Sequence, residues 1–235
     1  AEREEAYMPY CSRKHQLSGS LLYHIVNRGN RRDTVFHSKE DYSFFMGLLK
    51  EYRERFNLAI YHWALMPNHY HLLLEIGEPE HISSCMAGLN RAYTYYYHRA
   101  YSTAGFLWQG RFKLQPVQKQ SHILACGRYI ERNPVRAGIV SKAEEYSYSS
   151  ARFYCLGEND GITVQDPAFM EFGQDSASRR MVYQAFLADF NSQEEELFRR
   201  LDIPQGNKDF IRRLVRARGR FLPKRRGRPT QIIVP

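Results

Sequence analysis

Two apolar runs, LAIYHWALM (residues 58–66) and HYHLLLEI (69–76), flank a two-residue break at Pro67-Asn68. Runs of this length around so short a turn predict a β-hairpin. Each run is far too short to cross a membrane. Upstream, SLLYHIVNRGN reads as a strand ending in a turn at Gly29-Asn30. SKEDYSFFMGLLKEYRERF then reads as a helix, with Ser38 as N-cap and Asp41 in the capping-box position; Phe44, Phe45, Leu48, Leu49 and Tyr52 follow at helical spacing. Downstream, residues 79–101 predict a second helix with Ile82, Met86, Leu89, Tyr93 and Tyr96 or Tyr97 as its apolar stripe. RFKLQPV reads as a fourth strand, and SHILACGRYIERN as a third helix capped by Ser121 and ended by Pro134. The order β-α-β-β-α-β plus one helix is the split βαβ pattern of an α+β, ferredoxin-like sandwich with a central antiparallel sheet. That arrangement predicts one face covered by helices and the other open.

Past about residue 140 the periodicity weakens. VSKAEEYSYSSARFY reads as an ordered wrap, RRMVYQAFLADF and NKDFIRRLVRARGRF as helices, and LPKRRGRPTQIIVP as an extended basic tail. The chain therefore divides into residues 1–150 as a catalytic-type domain and 151–235 as a helical extension with a basic, disorder-prone end. With 235 residues, 43% of them apolar, and with 14 Phe and 17 Tyr, the chain can bury a sizeable core. The opening AEREEAYMPY has neither the basic nor the apolar region of a secretory signal. Cys11, Cys85, Cys126 and Cys155 are scattered, without a C-x-x-C, as expected of reduced thiols in a cytoplasm.

The net charge of +9 becomes informative when partitioned. Residues 21–136 are net +6 and residues 137–207 net −6, whereas residues 208–228 hold ten basic groups and one acid. A basic tail beside a mildly basic body suits a polyanion, with nucleic acid the first candidate. Arg225, Arg226 and Arg228 are the densest part of that tail; Arg226-Gly227-Arg228-Pro229 resembles the core of an AT-hook, but four residues are a weak match and an unspecific basic end accounts for them better.

Chemistry concentrates in MPNHYHLLL, residues 66–74. On a strand His69 and His71 share a face, with Cα atoms ~7 Å apart, while Tyr70, Leu72 and Leu74 face the other way. Two imidazoles side by side form half of a metal site, or simply two surface histidines until a partner is found. The third helix offers one: Tyr129 and Asn133, four residues apart, share a helix face. Arg128, Arg132 and Arg136 surround them. A tyrosine attacking a phosphodiester forms a phosphotyrosine and frees a 3′-hydroxyl, so the strand can be rejoined without ATP. Spacing alone leaves other tyrosines in contention, among them Tyr93, Tyr95, Tyr96, Tyr97 and Tyr101.

YHIVNRGN, MPNHYHLLL, GFLWQGRFKLQPV and RYIERNPVRAGIV, in that order over about residues 20–150, resemble the REP-associated tyrosine transposases of the single-tyrosine HUH nucleases. The resemblance implies His69 and His71 as metal ligands, Asn133 completing the set where relatives often carry Gln, and Tyr129 as nucleophile. It implies Mg²⁺ or Mn²⁺, and as partner a single-stranded DNA hairpin with a short adjoining guide sequence. Transposase relatives swap helices in dimers; the REP-associated branch is expected to be monomeric, cytoplasmic and associated with the nucleoid. Arg28, Asn30 and Arg31 in the first turn, Arg111 and Lys113 by the fourth strand, and Arg128, Arg132 and Arg136 are the expected DNA contacts, beside the tail arginines. The competing expectation is a domesticated hairpin-binding protein that no longer cuts. A zinc hydrolase using water lacks a third His or a carboxylate at motif spacing.

Overall fold

The computed structural model describes residues 22–201 and 204–218. Four strands, β1 (Leu22–Arg28), β2 (Leu58–Met66), β3 (His69–Ile76) and β4 (Lys113–Val117), form one antiparallel sheet in the order β2-β3-β1-β4. With α1 (Lys39–Arg55) between β1 and β2, and α2 (Ile82–Tyr101) between β3 and β4, this is the expected ferredoxin-like topology. The Ser38–Asp41 capping box opens α1 as the sequence predicts. Pro79–His81 forms a separate single turn before α2.

Strand alternation assigns the two faces. Tyr70, Leu72, Leu74 and Ile76 of β3 point into the main core with Phe45, Leu48 and Leu49 of α1 and Met86, Leu89 and Tyr93 of α2. Each such apolar side chain contributes about 1.5–3 kcal/mol on burial. The opposite face is not open. The helix α3 (Lys119–Glu131) covers it, packing Ile123, Cys126, Tyr129 and Ile130 on Leu22, Ala64, Leu73 and Val117. An amphipathic helix attached directly to β4 closes an apolar sheet face more effectively than water does. Helix α3 begins at Lys119, two residues before the expected cap, and ends before Pro134, which enters the short α4 (Asn133–Arg136).

A bulge between Ile60 and His62 sets two residues of β2 against one of β3 and brings both Tyr61 and His62 to the α3 side. Residues after 150 build on the same layers. Helices α6 (Ser176–Ala188) and α7 (Ser192–Arg199) pack beside α3, and α5 (Ala151–Leu156) packs against α6. Gln205 then pairs in parallel with the β4 edge, and α8 (Lys208–Arg218) buries Phe210 and Leu214 in the main core. Among the described residues no helix is long and apolar enough to cross a membrane. Cys85, Cys126 and Cys155 are buried free thiols. Gln118, not Ser121, takes the N-cap position, and Ser121 lies inside the first turn of α3; Cys11 and the tail arginines Arg225, Arg226 and Arg228 lie outside what is described.

Candidate active site

His69 and His71 stand on the α3 side of β3, opposite Arg28 and Val26 of β1. Their rings are 5.0 Å apart at 76°. Each Nδ1 is engaged within the protein: that of His69 donates to Asn68 Oδ1 at 2.6 Å, and that of His71 lies 2.9 Å from His24 Nε2. Asn68 in turn donates its amide to the Arg32 carbonyl at 3.0 Å, which leaves its oxygen for the imidazole. Burial, with the Arg28 and Arg136 charges behind it, lowers the His69 pKa to about 4. Burial and the neighbouring imidazoles push His71 well below its usual value. Both rings are therefore neutral at physiological pH, the form that ligates a cation.

Helix α3 delivers Tyr129 and α4 delivers Asn133 to the same point. The Tyr129 ring packs edge-on to His71 and to His24, 5.8 Å from each. Asn133 acts on His69 from this side, raising its pKa against the fall that burial causes. Its amide donates to the Tyr129 and Ile130 carbonyls at 2.9 and 3.2 Å, which turns the oxygen outward, where it accepts from Arg136. The Arg136 guanidinium also lies over the Tyr129 ring, 4.7 Å from its centroid. Burial raises the Tyr129 pKa, and Arg136 opposes that rise. Tyr129 is 5% exposed, because Phe198 of α7 packs against its ring at 5.8 Å.

Residues 18–133 match the family model for IS200-like transposases. Over this stretch the chain belongs to that family. The family is one of tyrosine nucleases of the HUH class, so the two histidines and the nearby tyrosine occupy a transposase catalytic domain. A solved structure of a REP-associated tyrosine transposase bound to a REP hairpin is similar at 21% identity, over 62% of this chain and 82% of that one, with a TM-score of 0.46. No curated protein matches the chain.

Two neutral imidazoles beside an amide oxygen fit a divalent cation by their donor chemistry. Among the described residues no three His, Cys, Asp or Glu side chains group closely enough to hold a metal ion. A cation here would take two imidazoles and the outward amide oxygen of Asn133. That set leaves positions open for phosphate oxygens, as a hard cation such as Mg²⁺ or Mn²⁺ requires.

The expected DNA contacts separate into two groups. Arg28, Arg111 and Lys113 converge on a cleft of about 440 Å³ that Gln109 and Arg199 also line. Arg28 Nε is buried there without a hydrogen-bond partner, an arrangement that in folded proteins calls for a ligand, ion or water. Asn30 and Arg31 lie in the turn after β1, where Arg31 takes φ 52° and exposes its side chain. Gly29 is required before it, since a Cβ would stand 2.3 Å from the Asp33 carbonyl oxygen.

The arginines of α3 and α4 behave differently. Arg128 is 7% exposed; it pairs bidentately with Glu194, donates to the Phe186 carbonyl and stacks on the Phe186 ring. Arg132 donates to the Leu187 and Ala188 carbonyls, and Arg136 to Glu195. Arg128 is thus no DNA contact but a clamp between α3 and the C-terminal helices, and Arg132 is largely engaged in the same way. Their partners lie more than fifty residues downstream, beyond any local pattern.

Sequence reasoning also missed His24, Gln115 and Arg199. His24 stands two residues from Val26, the partner of His71, but only the pairing register of β1 with β3 discloses it. Phe106, 89% exposed, rims an adjoining cleft of about 790 Å³ that reaches Asn27 and Arg111.

Proposed function

We propose that this IS200-like transposase cleaves and rejoins single-stranded DNA at hairpins of the REP type, through a 5′-phosphotyrosine on Tyr129. The convergence of Tyr129, His69, His71 and Asn133, from three separate elements, on one partly enclosed point carries the reading. A domesticated module that only binds hairpins would have no use for that convergence.

Tyr129 Oη attacks the scissile phosphorus and loses its proton; the bond from phosphorus to the 3′-oxygen breaks, and that oxygen leaves as a 3′-hydroxyl after taking up a proton. Attack by a 3′-hydroxyl on the phosphotyrosine reverses the step and rejoins a strand, with no net change in bond type. Mg²⁺ or Mn²⁺ on His69, His71 and Asn133 would polarise the phosphate and offset charge in the transition state. Arg28 supplies an unpaired buried donor next to His69 for a phosphate oxygen. Arg111, Lys113 and Arg199 line the approach, Arg31 stands exposed in the turn after β1, and Phe106 offers a face on which an unpaired base can stack. The proposed working unit is one chain, with α3 packed on its own sheet, acting on chromosomal DNA at the nucleoid.

The test is a covalent adduct. Radiolabelled repeat hairpins from the parent genome, incubated with protein and Mn²⁺, should yield a denaturation-resistant protein–DNA band that Tyr129→Phe lacks. Hairpin binding without any such band would establish the binding-only alternative.

A further inference from the structure

His24 is fully buried in the centre of the sheet, between β4 and β3. Its Nδ1 lies 3.0 Å from Gln115 Oε1 and its Nε2 2.9 Å from His71 Nδ1. The rings of His24 and His71 stack at 5.1 Å and 18°. Gln115 donates its amide nitrogen to the Arg200 carbonyl at 3.0 Å. A backbone carbonyl can only accept, and this one sets the polarity of everything that follows. Gln115 must turn its oxygen to His24, so His24 Nδ1 donates. The other nitrogen of a neutral His24 is then a bare acceptor, so His71 Nδ1 donates to it. The lone pair of His71 is thereby placed on Nε2.

We propose that His24 is a positioning residue for His71, and that Gln115 and the Arg200 carbonyl dictate its direction, so that the C-terminal extension helps to prepare the metal ligand. The inference rests on the reading of His71 as a ligand. Without the relay His71 could present an N–H to the site, and a protonated nitrogen cannot ligate. Asn68, held by the Arg32 carbonyl, does the same for His69 in a single step. His71 lies deeper, and reaching it from the far edge of β4 takes two groups in series. Outer partners of metal-bound histidines fix tautomer and ring orientation in this way, and their loss costs about 10- to 100-fold in metal affinity.

The experiment reads the tautomer directly. In metal-free protein with ¹⁵N-labelled imidazoles, long-range ¹H–¹⁵N correlations should show His71 protonated on Nδ1 in the wild type. His24→Leu and Gln115→Leu should each convert that signal to a mixture or to the other tautomer, while His24→Gln, whose side-chain oxygen can still accept from His71, should retain it. Mn²⁺ titration followed by electron paramagnetic resonance should show about 10- to 100-fold weaker binding in the two Leu variants and near-normal binding in His24→Gln. Gln115→Leu leaves the ring of His24 in place, so the relay can be judged even if His24→Leu folds poorly. An unchanged His71 tautomer in Gln115→Leu would overturn the relay. A wild type with the expected tautomer but no Mn²⁺ affinity would instead overturn the ligand reading, and the positioning role with it.

Discussion

Glu131 Oε1 lies 2.9 Å from His62 Nδ1, with both side chains fully buried. Asp166 Oδ2 is 3.2 Å from the other ring nitrogen, and Glu131 also accepts from Ser150 and from Tyr183, at 2.6 and 2.8 Å. The group ties α3, two residues past Tyr129, to β2, α6 and the loop before residue 167. It fixes the rotation of the helix that carries Tyr129, and every ionic oxygen has a partner, as a buried network requires.

This network makes stability depend on pH. Burial pushes the His62 pKa down, but Glu131 and Asp166 outweigh it and hold the ring at about 9, above its ordinary 6.5. A raised folded-state pKa stabilises fully below pH 6.5, and that stability disappears as pH rises through 9. The difference corresponds to about 3 kcal/mol. Denaturant unfolding between pH 6 and 10 should show the loss, and His62→Gln should remove most of the slope across that window. Equal slopes in both proteins would mean that His62 is not the group responsible.

Tyr129→Phe removes a single oxygen from a ring held by His24, His71 and Phe198. Melting temperature and hairpin affinity should stay near wild type, while nicking falls by several orders of magnitude. Appreciable nicking by the Phe variant would assign the attack to a different tyrosine.

His69→Ala and His71→Ala should lose Mn²⁺-dependent cleavage and keep most DNA affinity, because phosphate contacts elsewhere dominate binding. EDTA should reproduce the effect on the wild type, and added Mn²⁺ or Mg²⁺ should reverse it. Undiminished cleavage in EDTA would take the cation out of the mechanism.

Arg28 and Arg128 should respond oppositely to truncation. If Arg28 holds a phosphate, Arg28→Ala should reduce the slope of log affinity against log salt by about 0.7 on single strands. Arg128→Ala takes the bidentate partner from Glu194 and the guanidinium from the Phe186 ring, and should cost about 1–3 kcal/mol of stability with no change in that slope. A salt series together with urea unfolding of both variants separates the two roles.

Removal of residues 219–235 deletes five basic groups and no acids. If they touch phosphate, the salt slope should fall while discrimination between cognate and scrambled hairpins persists. A cut after Gly206 would be the poorer experiment, since it also strips Phe210 and Leu214 from the core. An unchanged slope would exclude the tail as a phosphate clamp.

Much of the site was legible locally. Strand alternation alone puts His69 and His71 on one face, and helical spacing alone puts Tyr129 near Asn133. The hairpin, the capping box and the order of the elements likewise follow from neighbours a few residues apart. Which face α3 takes was not local: it depends on Leu22, Leu73 and Val117 needing cover, a property of the assembled sheet. Arg128 read as a phosphate contact because charge is visible in a sequence and its partner, sixty-six residues on, is not. His24 has no motif of its own; strand register makes it the neighbour of His71. Periodicity reports which way a side chain points, whereas burial, pairing and hydrogen-bond direction belong to contacts that form only when distant segments fold together.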